Sequence, residues 1–244
     1  SRLGFGASRT MQIAQRLYQG IEIEGETIGL ITYMRTDGTN LSKDAILAFR
    51  DYIKKEIGTD YLPESALNYK GKKAKNAQEA HEAIRPTDII RTPQSVKKYL
   101  SPDQNKLYDL IWSRALSSQM ESAKFDRNTI TIASDNNDTV CKSSGSVLKF
   151  DGFLKIYNNP TKDDEETVLP EMSKGLVNIE ALIDEQHFTQ PPPRYSEASL
   201  VKKLEELGIG RPSTYASIIS TIANRGYAEI LNKRFFPTDR GKLI

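Results

Sequence analysis

The spacing of apolar residues predicts that helices at both ends of the chain flank a β-rich middle. Apolar side chains recur at helical spacing in the first 20 residues, after Ser42, which is placed to cap a helix, and between residues 104 and 121, where Trp112 is expected in the core. These stretches predict amphipathic helices, because each would have one apolar face. After Phe125 the pattern changes, and short alternating segments predict strands at 128–133, 140–142, 147–150 and 153–157. The pattern is that of an α+β protein with several domains.

The C-terminal part has the pattern of a small DNA-binding module. Three consecutive prolines at 191–193 predict a stiff linker and a domain boundary. After them, Ser196 and Ser213 are placed to cap two successive helices, and residues 227–230 and 234–236 predict a hairpin. Helix, turn, helix and hairpin is the order of a winged helix-turn-helix module. We therefore predict a mostly helical segment at 1–122, a β-rich segment at 123–190 and a winged-helix-like segment at 191–244.

Composition is typical of a globular protein outside the membrane. The chain has 244 residues, of which 38% are hydrophobic and 27% are charged, enough to build two or three cores. No stretch approaches the roughly 18 apolar residues of a membrane span, and no signal peptide is visible. The single cysteine, Cys141, cannot form an internal disulfide and fits a reducing compartment. We expect a cytoplasmic protein with no membrane partner.

Charge is unevenly distributed and gives a first indication of partners. Lys and Arg outnumber Asp and Glu by 18 to 15 in residues 1–122 and by 9 to 5 in 189–244, whereas acids prevail by 12 to 7 between them. Two basic parts joined by an acidic one suggest two surfaces that face nucleic acid. The acidic run 163–166 is contiguous and predicts a solvent-facing loop. No Cys/His cluster and no other metal-ligand spacing is present, so no metal site is expected in this chain.

The stretch from Ile28 to Asp37 carries the most suggestive chemistry. Residues 28–34 are rich in β-branched and aromatic side chains and predict a strand. If the backbone stays extended, Tyr33, Arg35 and Asp37 share one face. A phenol with a pKa of about 10 is a poor nucleophile, and a fixed cation such as Arg35 could stabilise both its phenolate and a phosphodiester under attack. A half-buried packing role for Tyr33 is the alternative.

Two further runs could contact phosphate. Residues 76–84 predict a helix that Pro86 stops, with His81 and Arg85 near its end; a salt-bridged helix end is the alternative reading. Arg211, Ser213 and Thr214 precede a predicted helix, where free amides, hydroxyls and the helix dipole can hold an anion. An ordinary N-cap by Ser213 explains the second pattern equally well.

Three motifs together resemble those of type IA DNA topoisomerases. The first is Gly29-Leu-Ile-Thr-Tyr-Met-Arg-Thr-Asp37, which is similar to the active-site tyrosine signature of that family. The others are Gln78-Glu-Ala-His-Glu-Ala-Ile-Arg-Pro-Thr87, and Tyr195-Ser-Glu-Ala-Ser-Leu with Gly208-Ile-Gly-Arg-Pro-Ser-Thr-Tyr215. They follow the order of the family and cover most of the chain. Gly38 stands where the family pattern has a serine.

The resemblance implies a mechanism and a role for each candidate residue. Tyr33 would attack DNA and form a 5′-phosphotyrosyl link, with Arg35 stabilising the charge at phosphorus. The DNA strand would be held by His81, Arg85, Arg211, Ser213 and Thr214. Strand passage through the break would relax negatively supercoiled DNA without ATP, and no phosphate-cradling loop with Gly and Lys is found in the chain. A helix-turn-helix-like helical domain would carry Tyr33, and the β-rich segment would form an arch.

The resemblance also implies what lies outside the chain. Members of the family bind Mg²⁺ in a separate acidic domain that precedes the tyrosine, and no Asp-x-Asp-x-Glu run occurs here. We therefore expect no cofactor in this chain. We also expect a monomer that binds single-stranded segments of DNA and that cannot relax supercoiled DNA alone.

Two other functions account for part of the pattern. A non-catalytic winged-helix DNA-binding module would use the C-terminal segment and leave Tyr33 packed. A tyrosine recombinase also forms phosphotyrosine, but at the 3′ end, and requires an Arg-His-x-x-Arg cluster upstream of a C-terminal tyrosine. The chain has no such cluster, and its candidate tyrosine lies near the N-terminus. The DNA end that becomes attached to protein distinguishes these possibilities.

Overall fold

The structure, a computed structural model, describes residues 2–69, 82–134, 138–157, 174–178, 181 and 183–244, and it mixes helices with small sheets. The helices are α1 (Ala7–Gln19), α2 (Lys43–Tyr52), α3 (Pro93–Val96), α4 (Pro102–Ser117), α5 (Glu197–Glu206), α6 (Tyr215–Asn224) and α7 (Asp239–Lys242). The strands are β1 (Ile21–Ile23), β2 (Glu26–Ile28), β3 (Lys124–Ala133), β4 (Val140–Phe150), β5 (Ala228–Leu231) and β6 (Arg234–Pro237). They pair as three antiparallel hairpins, β1–β2, β3–β4 and β5–β6.

The chain forms two compact units, and the first is assembled from two separate stretches of sequence. Residues 1–119 and 192–244 make one unit, and residues 120–191 make the other. Within the first unit, α1 packs on both α4 and α6. The division into segments 1–122, 123–190 and 191–244 stays a prediction, because one compact unit can contain more than one domain.

The core of the first unit lies among its N-terminal helices. Leu17 of α1, Phe49 of α2 and Tyr108 of α4 are almost completely buried. Trp112 is 7% exposed, which confirms its predicted place in the core, and it packs edge to face against Tyr52. Its indole Nε1 donates a 3.0 Å hydrogen bond to the carbonyl of Ile89, so the one polar atom of this buried ring is satisfied.

Serine caps fix the starts of several helices. Ser42 accepts a hydrogen bond from the amide of Ala45 at the start of α2, and Ser196 accepts one from Ser199 at the start of α5. Both predicted caps are confirmed. After α2 the chain continues through a π-helical turn, Ile53–Ile57. This turn ends at Gly58, whose positive φ of 134° suits glycine.

The second unit contains a longer ribbon than the sequence predicts. β3 and β4 pair without interruption from 125 to 133, so the break expected at 143–146 is wrong: these small polar residues face 127–130 in register. The strand predicted at 153–157 is also wrong, because a 3₁₀ turn spans Gly152–Lys155. Gly152 has a φ of +49°, and a Cβ there would lie 2.6 Å from the carbonyl oxygen of Glu121. The turn therefore depends on glycine, and the amide of Phe153 bonds the same carbonyl.

Two predicted elements around the candidate tyrosine are also corrected. The strand expected at 28–34 ends at Ile28 as β2, and beyond it only Ile31 makes an isolated β-bridge, with Pro86. Of the helix expected at 76–84, residues 76–81 lie outside the described residues, and 82–84 are not helical. In both stretches, hydrogen bonds to distant residues replace local ones. The amide of Thr32 donates to the carbonyl of Arg85, while the carbonyl of Ala83 accepts from the Thr32 hydroxyl and its amide donates to the carbonyl of Asn40.

In the part of the chain that the structure describes, no helix is both long enough and apolar enough to cross a membrane.

Candidate active site

The first two motifs lie side by side, although the residues that bond to each other are more than fifty positions apart in the sequence. The amide of Thr32 donates to the carbonyl of Arg85 at 2.9 Å, and the amide of Thr87 donates to the carbonyl of Leu30 at 3.0 Å. The Thr87 hydroxyl adds a 2.7 Å bond to the carbonyl of Gly29. These bonds make residues 82–87, called here the brace segment, a partner for the chain just before Tyr33.

Tyr33 lies where this paired backbone ends. Its half-buried ring packs edge to face against Tyr18 on α1, with ring centroids 5.4 Å apart and an interplanar angle of 68°. Met34, next in the chain, is 3% exposed. Both neighbours hold the phenol at the edge of the core, which reduces the number of orientations that it can adopt.

The residues after Tyr33 form an irregular loop. The prediction that Tyr33, Arg35 and Asp37 share one face assumed an extended strand, and no strand is present there. The chain bends at Met34 and Arg35 and has no regular structure up to residue 42. The side chains of Arg35 and Asp37 are exposed, and the amide of Gly38 donates a 2.9 Å bond to the hydroxyl of Thr36. We call residues 33–41 the tyrosine loop.

Arg35 presents an exposed cation two residues after the candidate nucleophile. Among the described residues, none forms a hydrogen bond or an ion pair with its guanidinium. All N–H donors of this planar guanidinium are available to a phosphate, which it can bind with two parallel hydrogen bonds.

Arg85 is arranged differently, because its guanidinium is already engaged. Its Nε and one terminal nitrogen donate to the two carboxylate oxygens of Glu82 at 2.9 and 2.8 Å, and the other terminal nitrogen donates to the carbonyl of Pro86. The side chain of Arg85 is only 15% exposed. The paired geometry of the alternative reading is thus present, although not on a helix, and a DNA contact by Arg85 stays a prediction.

Glu82 is a further residue of this site that was not among the candidates predicted from the sequence. Besides Arg85, its Oε2 accepts a 3.1 Å hydrogen bond from the amide of Ser42, at the start of α2. Burial tends to raise the pKa of this carboxyl, but the hydrogen bonds from Arg85 and Ser42 outweigh burial and hold the pKa below its usual value. The spacing of Glu82 and Arg85 was a visible signal, whereas the bond to Ser42 had none in the sequence. His81, which precedes Glu82, lies outside the described residues.

The third motif precedes α6, and its first turn is closed by a threonine rather than by the predicted serine. The Thr214 hydroxyl accepts a 2.8 Å hydrogen bond from the amide of Arg211, and α6 begins at Tyr215. The predicted cap by Ser213 is wrong, because Thr214 occupies the N-cap position of α6. The backbone of Thr214 is helical, and its side chain accepts no hydrogen bond from an amide of the helix. Ser213 and Thr214 are exposed, and Arg211 is half-buried with one nitrogen bonded to the carbonyl of Gly210.

Helix α1 contacts both halves of this candidate site. It carries Tyr18, which packs on Tyr33, and it packs along α6. At its start, the amide of Ala7 donates to a carboxylate oxygen of Glu197 in α5. Burial raises the pKa of the Tyr215 phenol; the charges of Glu205 and Asp37 add to this rise, and the charge of Arg211 opposes it. The first and third motifs therefore lie on the same unit.

The described residues do not fit a magnesium site. No group of three His, Cys, Asp or Glu side chains among them could hold a metal ion, and the acidic run 163–166 lies outside the described residues.

Comparison with known proteins identifies the relatives of the chain. A family model described as DNA topoisomerase matches residues 1–244. The chain is 53% identical to DNA topoisomerase 1 of Rickettsia felis and 46% identical to that of Salmonella typhimurium, and both alignments cover 100% of it. They cover only 32% and 27% of those relatives, so the chain spans about a third of their length. Full-length topoisomerase I from Thermotoga maritima superposes with a TM-score of 0.80 at 38% identity, over 97% of this chain and 37% of that one.

Proposed function

This chain belongs to the type IA family of bacterial DNA topoisomerases, and we propose that it carries the tyrosine with which the whole enzyme cleaves one DNA strand. Tyr33 is the nucleophile in this proposal. The single observation that carries it is the position of Tyr33, which directly follows a backbone segment fixed by the brace segment and has an exposed arginine two residues away.

The proposed reaction exchanges one phosphoester for another. The phenolic oxygen of Tyr33 forms a bond to phosphorus while the bond from phosphorus to the 3′ oxygen of the DNA breaks. The phenol loses its proton, and the 3′ oxygen gains one. The product is a 5′-phosphotyrosyl link with a free 3′ hydroxyl, and attack by that hydroxyl reverses the reaction. Since one ester replaces another, the step needs no ATP.

Arg35 is proposed to stabilise the charge that develops during this exchange. The attacked phosphodiester passes through a state with additional negative charge on its oxygens, and the phenol must approach a phenolate. A guanidinium that is not engaged elsewhere can serve both groups. Its exposure supports this role, because DNA must reach it from solvent.

The strand is proposed to be held by residues of the second and third motifs. Arg211, Ser213 and Thr214 precede α6, and the exposed hydroxyls of the last two are accessible to a phosphate. His81 and Arg85 are proposed to contact the backbone nearer to Tyr33. For Arg85 such a contact requires a donor beyond those already given to Glu82 and Pro86.

The rest of the chain is proposed to follow the architecture of the family. Residues 1–122 form the helical domain with the tyrosine, the β3–β4 segment forms part of an arch at 123–190, and residues 191–244 form a winged-helix-like part. The order α5, α6, β5, β6 supports the last assignment. The whole enzyme is proposed to act as a cytoplasmic monomer that relaxes negatively supercoiled DNA through single-stranded segments. Mg²⁺ is proposed to bind elsewhere in that enzyme, so this chain alone is proposed not to relax DNA.

The test is covalent capture of DNA by the complete protein that contains this chain. A single-stranded oligonucleotide is labelled at its 3′ end, on the fragment that a 5′-phosphotyrosyl link retains, then incubated with the protein and denatured with detergent. The proposal predicts that the label stays with the protein and that the free DNA end carries a 3′ hydroxyl. Attachment through the 3′ end would indicate recombinase chemistry, and binding without attachment would indicate a DNA-binding module.

A further inference from the structure

The tyrosine loop is fastened to the brace segment at both of its ends. At its entry, the hydroxyl of Thr32 donates to the carbonyl of Ala83 at 2.9 Å and accepts from the amide of Arg85 at 3.0 Å. At its exit, the amide of Ala83 donates to the carbonyl of Asn40 at 2.8 Å. One residue of the brace segment, Ala83, thus bonds both ends of the loop.

Glu82 adds the only side-chain bond from the described brace segment to the chain beyond the loop. Its Oε2 accepts from the amide of Ser42, which starts α2 two residues after Asn40. The same carboxylate receives the fork of Arg85, whose backbone is bonded to Thr32 before the loop. A carboxylate that ties entry and exit together restricts the loop between them, because a chain fixed at both ends has fewer conformations.

We propose that Glu82 is a positioning residue for the cleavage reaction, which holds the tyrosine loop so that Tyr33 and Arg35 meet the same phosphate. Glu82 acts through Ser42 and Arg85 and does not touch DNA. This inference rests on the proposed function of Tyr33. It goes beyond that function by assigning a role to a carboxylate in the second motif that neither binds nor reacts.

The chemistry of the side chain makes the role specific for a carboxylate. Its two oxygens receive three hydrogen bonds, two from Arg85 and one from Ser42. Glutamine has the same length but only one accepting oxygen, so it must leave at least one of the three donors without an acceptor. Aspartate retains both oxygens and only shortens the reach. Glu82→Gln and Glu82→Ala should therefore impair loop positioning more than Glu82→Asp does.

The experiment uses Glu82→Gln, Glu82→Ala and Glu82→Asp in the complete protein that contains this chain, with Glu22→Gln as control. Glu22 is an exposed carboxylate in β1. Hydrogen exchange is measured first, on backbone amides of residues 33–42 and of α4. We expect exchange in 33–42 to accelerate about tenfold or more in Glu82→Gln, with α4 unchanged.

The second readout separates positioning from binding. Single-turnover capture of an oligonucleotide gives the cleavage rate, and the dissociation constant is measured on a Tyr33→Phe background. We expect Glu82→Gln to lower the cleavage rate about tenfold or more, with a dissociation constant within about twofold of the unchanged protein. Glu82→Asp should recover most of the lost rate, and Glu22→Gln should match the unchanged protein.

Each outcome decides between the claims. An unchanged cleavage rate in folded Glu82→Gln, with or without faster exchange, overturns the positioning role. If Glu82→Gln does not fold, a Glu82→Asp protein with no more than the activity of Glu82→Ala overturns it as well. If the unchanged protein captures no DNA, the proposed function fails, and the positioning role of Glu82 in cleavage fails with it. The exchange data then still show whether Glu82 orders the loop.

Discussion

The rings of Tyr18 and Tyr33 meet edge to face with their centroids 5.4 Å apart, so helix α1 supports the candidate nucleophile directly. An aromatic pair of this geometry contributes about 0.5–1.5 kcal/mol beyond the area that it buries. Tyr18 is 40% exposed, which means that its replacement need not disturb the core.

We predict that Tyr18→Leu slows DNA cleavage by up to about tenfold, the equivalent of roughly 1.4 kcal/mol, because the Tyr33 ring loses its support. Tyr18→Phe keeps the ring and should cleave at the original rate. Single-turnover capture with both variants checks the prediction. Equal slowing by leucine and phenylalanine would assign the effect to the Tyr18 hydroxyl instead.

Gly29 allows a close approach that a larger residue would prevent. A Cβ at this position would lie 2.7 Å from the carbonyl oxygen of Tyr18. We predict that Gly29→Ala lowers the free energy of unfolding by about 1–3 kcal/mol, a typical cost of overpacking. Thermal or denaturant unfolding measures this loss. Gly175→Ala is the control, since a Cβ there meets nothing within 4 Å, and it should leave stability nearly unchanged.

The sequence predicted what depends on neighbours along the chain and missed what depends on distant ones. The caps at Ser42 and Ser196 and the β5–β6 hairpin were predicted because each uses residues a few positions apart. The hydrogen bond between the Arg85 amide and the Thr32 hydroxyl joins residues 53 positions apart, and no local sequence pattern predicts it. That pairing replaced both the expected strand around Tyr33 and the described end of the expected helix.

Among the candidate site residues, too, local sequence motifs were recognisable, whereas contacts set by the tertiary fold were not. Tyr33, Arg35 and Arg211 were selected by motif, and their roles stay predictions. Glu82 was passed over because its contact with Ser42 depends on the tertiary fold. The cap expected at Ser213 is wrong because the next residue, Thr214, also has a hydroxyl. The Thr214 hydroxyl accepts the hydrogen bond from the Arg211 amide that closes the turn before α6.

The lowered pKa of Glu82 predicts a pH dependence of stability. Since its folded pKa lies below the usual value of 4.5, the ionised carboxylate stabilises the fold at pH values above 4.5. This contribution is lost as the pH falls through the folded pKa. The difference in unfolding free energy between the unchanged chain and Glu82→Gln should therefore be largest above pH 4.5 and shrink on acidification. A difference that stays constant from pH 6 to pH 3 would contradict the assignment.

Arg211 is predicted to contribute one phosphate contact. Arg211→Ala should weaken binding of single-stranded DNA by about 1–3 kcal/mol and reduce the salt dependence by roughly one contact. Fluorescence anisotropy over a range of salt concentrations measures both quantities. Lys55→Ala removes an exposed cation after α2 and serves as the control. If both variants give the same salt slope as the unchanged protein, Arg211 holds only the turn before α6.

The central claim is that Tyr33 forms the covalent bond to DNA, and mapping the adduct tests it most directly. The complete protein is incubated with a single-stranded oligonucleotide, denatured and digested, and the peptide that carries the nucleotide is identified by mass spectrometry. We predict a nucleotide joined through its 5′ phosphate to Tyr33, and no adduct in Tyr33→Phe, which should still bind DNA because only one hydroxyl is removed. An adduct on another residue, or undiminished capture by Tyr33→Phe, would contradict the account.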